Sequence, residues 1–230
     1  MRWLSWGRKL AGRFKSSSTR ASQVETGAAQ EDESPEALRK LANDCFHGKG
    51  GQRQSIPKAL RLLKTAAAAG DVESMAVLGQ IHADGTLPQN MLESVRWLTM
   101  AAERGDVDSQ VNLGRIFSQG IGVRVNYVDA FRWYAAAAAQ GDAGAQYHLA
   151  TLYKRGFGTY PDEARAAALL RQSAERGFAT AQYELGMMLA TGDGSPTTRM
   201  EAIRWFTKAA EQGHAGAIDM LRPFTRYMKS

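Results

Sequence analysis

Apolar and polar residues recur along the chain with the period of a helix, and the pattern is interrupted at regular intervals by glycine. Ser109, Leu113, Ile116 and Phe117 fall at i, i+4, i+7 and i+8, which is one face of a helix. A glycine-bearing stretch follows, SQGIGVRVN, and then a second face made of Ala130, Trp133, Tyr134, Ala137 and Ala138. Gly141 closes it, where glycine takes the left-handed conformation after a helix at least cost. The spacing therefore predicts two short helices joined by a loop.

This pair is one copy of a larger pattern. The closing glycine recurs as Gly70, Gly105, Gly141, Gly177 and Gly213, at spacings of 35, 36, 36 and 36. Leu78, Leu113, Leu149, Leu185 and Leu221 keep the same frame. So do the small pairs Ala66-Ala67, Ala101-Ala102, Ala137-Ala138, Ser173-Ala174 and Ala209-Ala210. Tryptophan recurs at Trp97, Trp133 and Trp205, with Leu169 filling the gap between the last two. Ser55, Asn90, Asn126, Asp162 and Thr198 share one column, and all are residues that cap a helix N-terminus. Thr198 with Glu201 predicts a capping box. Helices of about twelve residues are marginal alone, so they must pack closely. Gly79, Gly114, Ala150 and Gly186 are the first-helix positions that let backbones approach. The expected fold is all-α: an α-solenoid of about five helix-turn-helix repeats of 35–36 residues, with a capping half-repeat over 215–222.

The small-x-x-x-Leu-Gly-x-x-aromatic-x-x-Gly-x-Gly pattern is followed by Ala-x-x-Trp-Tyr-x-x-Ala-Ala-x-x-Gly in residues 109–141, SQVNLGRIFSQGIGVRVNYVDAFRWYAAAAAQG. Residues 179–213, ATAQYELGMMLATGDGSPTTRMEAIRWFTKAAEQG, repeat it. This resembles the Sel-one-like repeat, a relative of the tetratricopeptide repeat, over residues 36–222. The resemblance implies a right-handed superhelix whose first helices line a concave side, and protein or peptide partners. Leu87 departs from the pattern at the second loop glycine, and Cys45, His82 and Leu189 at the aromatic column.

Charge adds a second region. Of 29 Lys and Arg, six lie in residues 1–24, which hold no acid; the other 23 are matched by 23 Asp and Glu. The net charge of +6 therefore belongs to a tail, and a nucleic-acid partner is not expected. In residues 1–15, Trp3, Trp6, Leu10 and Phe14 share one helical stripe, flanked by Arg2, Lys9 and Arg13. That is the pattern of a basic amphipathic segment on an anionic membrane surface. A mitochondrial presequence and a segment docked on the first repeat, or a disordered tail, are the alternatives left open. Residues 16–35 read as a polar linker ending at Ser34-Pro35, an N-cap and first-position pair, and 223–230 as a C-terminal tail. One cysteine allows no internal disulfide and fits a reducing compartment, either the cytoplasm, with the inner face of a membrane, or the mitochondrion.

Few residues suggest chemistry. Ser55 and Lys58 form an S-x-x-K at a helix start, which can pair a serine nucleophile with a lysine. The capping column already accounts for Ser55, so a hydrolase is the distant alternative. The four histidines share no ligand spacing, and no metal or cofactor is expected. The expected function is a non-enzymatic interaction scaffold. Its candidate partner face is the variable column of the first helices: Asn112, Arg115 and Gln119; His148, Thr151 and Arg155; Glu184, Met187 and Thr191. The five alanines 135–139 divide into the packing pair and three residues, Ala135, Ala136 and Ala139, expected on an outer face that has lost its polar cover.

Overall fold

The structure, a computed structural model, describes residues 34–84, 90–191 and 195–226. Among these there are eleven α-helices and no strands. The basic segment with Arg2, Trp3, Trp6, Lys9, Leu10, Arg13 and Phe14 lies outside the described residues, as do most of the linker and Leu87. The chain divides into two compact units at Arg104–Gly105.

The first unit contains α1 (Pro35–His47), α2 (Ile56–Ala68), α3 (Val72–Ala83) and α4 (Met91–Ala102). Ser34 caps α1, its hydroxyl accepting from the Ala37 amide at 3.2 Å, with Pro35 at the first helical position. The core is apolar: Cys45, Phe46, Leu63, Met75, Leu78 and Ile81 form one buried cluster, against which Trp97 packs. Gly79 marks the close approach of α3 to α4. A Cβ there would lie 2.6 Å from Leu98 Cγ.

The second unit contains α5 (Val107–Gln119), α6 (Tyr127–Ala139), α7 (Ala143–Arg155), α8 (Glu163–Glu175), α9 (Ala179–Ala190), α10 (Pro196–Glu211) and α11 (Ala215–Arg226). The expected packing face of α6 is fully buried: Ala130, Trp133, Tyr134, Ala137 and Ala138. A Cβ on Gly114 would lie 2.7 Å from the Tyr134 ring, and one on Gly186 2.7 Å from Phe206. The tryptophan column serves contact between repeats. Trp205 joins the cluster of Ala150, Leu170 and Leu185, and Leu169 packs against both that cluster and the one around Tyr134.

Two expectations are corrected. The last second helix begins at Pro196, not after Thr198. Ser195 is its cap, accepting from the Thr198 amide at 3.2 Å, because a serine followed by proline starts the helix a turn earlier. Thr198 is then an internal first-turn residue whose hydroxyl bonds the Ser195 carbonyl. Ala135 is also not on an uncovered outer face. It packs with Phe131 against the cluster containing Tyr134 and Leu149, while Ala139 is exposed as expected.

Candidate functional site

The candidate face lies on α5, α7 and α9 of the second unit. Each of these helices is started by the residue after the closing glycine. Asp106 accepts from the Ser109 amide at 2.8 Å, and Asp142 from the Ala145 amide at 2.6 Å. At α9 the same column holds Phe178, which makes no capping bond. Its ring packs on Tyr147 instead, with centroids 5.2 Å apart. At the start of α11, His214 does both: Nδ1 accepts from the Ala217 amide and the ring stacks on Tyr183 at 4.6 Å.

Arg115, Gln119, Arg155 and Thr191 are exposed, whereas Asn112, His148, Thr151, Glu184 and Met187 are half-buried. The two threonines are occupied locally, Thr151 Oγ1 donating to the Tyr147 carbonyl and Thr191 Oγ1 to Met187. Met187 packs against the cluster holding Phe206 and serves as wall more than surface.

His148 does not stand on an open face. It stacks on Tyr134 at 4.9 Å and 25°, and meets Tyr147 edge-on at 5.4 Å. Burial lowers its pKa below 6.5, and the nearby Asp142 carboxylate opposes this only in part. Burial also raises the phenol of Tyr134, against the Ser118 hydroxyl and the Arg115 charge. Tyr147 donates to Glu184 Oε1 at 2.6 Å, and burial together with that acceptor pushes its phenol up to about 12. Arg155 lies near Tyr147 and over the Phe157 ring at 5.9 Å. Contacts thus run in one line through α5, α6, α7 and α9: from Arg115 and the buried Tyr134 to the half-buried His148 and Tyr147, then to Glu184 and Arg155.

A buried polar column supports this patch, and the hydrophobic pattern did not reveal it. Gln110, Gln146 and Gln182 are each almost fully buried. Gln146 and Gln182 donate to the carbonyls of Ala138 and Ala174, at 3.5 and 3.1 Å. Gln140 donates to Gln110 at 2.9 Å, and Gln212 to Gln182 at 2.9 Å. The signal was in the sequence as Ser109-Gln110, Ala145-Gln146 and Ala181-Gln182, a recurring polar residue beside a small one.

Ser55 and Lys58 are not paired. Ser55 caps α2, accepting from the Lys58 amide, and Lys58 Nζ donates to Gln52 Oε1 at 3.0 Å. Cys45 is fully buried, its thiol 3.8 Å from the same Gln52 oxygen. Among the described residues no cluster of His, Cys, Asp and Glu could hold a metal ion, and no helix is long and apolar enough to cross a membrane. The first unit has a groove of about 330 Å³ that sequence reasoning missed, floored by Phe46, Leu63 and Val77 and rimmed by Lys40 and Asn43.

The Sel1 repeat profile matches residues 35–71, 72–106, 107–142, 143–178 and 179–214. The fold is similar to a protective antigen of uropathogenic Escherichia coli with an SLR fold, at 30% identity and TM-score 0.72, over 80% of this chain and 39% of that one. It is also similar to a Sel1 repeat protein from Oxalobacter formigenes, at 31% identity and TM-score 0.71, over 80% of this chain and 53% of that one. The chain thus spans about half or less of these relatives. A search of curated proteins returned no match. Sel1 repeat proteins are generally protein-interaction scaffolds and typically non-catalytic. Five consecutive matches covering residues 35–214, together with the all-helical repeat architecture, place the chain in the Sel1 repeat family.

Proposed function

We propose that this chain is a non-enzymatic adaptor that binds a protein or peptide along the first-helix face of its second unit. The observation carrying this reading is the contrast between columns. Gly114 and Gly186 are pinned by the rings they meet, while the exposed Gln119, Arg155 and Thr191, which share one column, differ from repeat to repeat. Packing fixes the first set and leaves the second to recognition. The Ser55 and Lys58 contacts support this over serine–lysine chemistry, since both side chains are engaged elsewhere.

Site-specific photo-crosslinking tests it. A photoreactive residue at Gln119 or Thr151 is expected to yield discrete adducts in cells, and one at Arg204 on α10 to yield none. Adducts equally abundant at Arg204, or absent from the face, would refute the reading.

A second reading concerns residues 1–15. Their charge partition favours a tether on an anionic bilayer. The full chain is expected to float with anionic liposomes, and a chain beginning at Glu36 to remain at the bottom. Equal flotation would remove the tether, and cleavage on import into isolated mitochondria would favour a presequence.

A further inference from the structure

The charge on the candidate face is uneven. Helix α7 carries Lys154 and Arg155 and no acid. On α5 the acid is Asp108 in the first turn, two turns from Arg115. Arg115 and Arg155 are exposed, and neither has a carboxylate within ion-pair distance among the described residues. Elsewhere in this unit Arg165 pairs with Asp162, Arg171 with Glu201 and Arg222 with Asp219. Beside the two arginines lie the half-buried rings of His148 and Tyr147 in edge-on contact, with the buried Tyr134 stacked beneath His148. Glu184, already accepting from Tyr147, ends the basic stretch on the α9 side.

We propose that this face of the third and fourth repeats binds an extended acidic peptide segment, with carboxylates on Arg115 and Arg155 and its backbone crossing the His148 and Tyr147 rings. Charge complementarity selects the partner. Two guanidiniums without carboxylates repel a basic chain and reward carboxylates, which they can grip in bidentate fashion.

The proposal rests on the adaptor reading, and the experiment separates the two. Fluorescence anisotropy of the full chain is measured with a labelled peptide repeating Glu-Gly-Ser, and with its Gln and Lys counterparts. The Glu peptide is expected to bind, with affinity falling as salt rises, and the other two to bind at least roughly tenfold more weakly. Arg115→Glu with Arg155→Glu is expected to lose roughly thirtyfold or more. Arg199→Glu with Arg204→Glu, which changes net charge equally on α10, is expected to change little. Equal loss in the two double variants would show a general charge effect and overturn the proposal, as would equal binding of the Glu and Gln peptides. Photo-adducts at Gln119 that persist while the Glu peptide fails would leave the adaptor reading standing and remove the acidic partner. Vesicles of phosphatidylserine that bind through Arg115 and Arg155 more tightly than the peptide would assign the face to a lipid surface and likewise overturn it.

Discussion

The two units of the chain solve one packing problem with different chemistry. The columns are the same, but at several of them the first unit places an aliphatic or sulfur-bearing side chain where the second places an aromatic or an amide. Where the first unit has Leu98 opposite a glycine, the second has Tyr134 and Phe206. Where it has buried Met75, the second has buried Gln110, Gln146 and Gln182. Val77 floors an apolar groove in the first unit, and its counterpart His148 belongs to a ring stack beside the arginines. A repeat frame thus fixes which positions are buried without fixing what is buried there. Chemistry of the surface follows the filling. Rings that bring hydroxyls and imidazole to the face make it polar, and aliphatic filling leaves it greasy.

The contrast can be broken most severely at Tyr134. Its ring is almost fully buried, so Tyr134→Ala should cost about 3–5 kcal/mol in denaturant unfolding and release His148 from its stack. A loss below about 1 kcal/mol would mean the second unit does not depend on that ring. The amide column comes next. Gln182→Leu removes bonds to Ala174 and Gln212 and should cost about 1–3 kcal/mol, whereas Met75→Leu should cost under about 1.5 kcal/mol. Equal costs would erase the distinction between polar and apolar filling. Gly114→Ala forces a methyl into Tyr134 and should cost about 1–3 kcal/mol. Ser195→Ala should cost about 1 kcal/mol, and Thr198→Ala less, if α10 starts where the structure has it. The smallest effect is set by pH. His148 has a lowered pKa when folded, so the unfolded chain takes up the proton first. Stability should be full above pH 6.5 and fall as the pH drops from there toward the lower folded value. In His148→Phe this part of the pH dependence should vanish from a series of denaturation midpoints.

Positions decided by backbone geometry and volume were legible in the sequence. Gly141 and its relatives all take positive φ, from 82° to 96°, and Ala137 with Ala138 lies buried at the predicted contact. Positions decided by a specific partner were not. A buried glutamine looks polar and therefore exposed until the carbonyl it reaches, Ala174 in the case of Gln182, is known. Phe178 occupies a capping column without capping, because its side chain has no acceptor, and its ring packs on Tyr147. Ala135 was misplaced because helical periodicity tells which side of a helix faces its own repeat, and α7 covers a flank as well. Of the candidate face, the exposure of Arg115 and Arg155 followed from period alone. The ring stack beside them did not, since Tyr134, buried beneath His148, comes from the second helix of the preceding repeat.

The tryptophan column carries a lesson for cutting and splicing. Trp205 belongs by sequence to the last repeat, but it completes the cluster of Ala150, Leu170 and Leu185. A segment ended at the textual boundary near residue 178 would strip that cluster of both Leu185 and the indole. The transplantable module is out of phase with the motif, and grafts should be joined within a first helix's loop, so that each donated block brings the ring that seals the block before it.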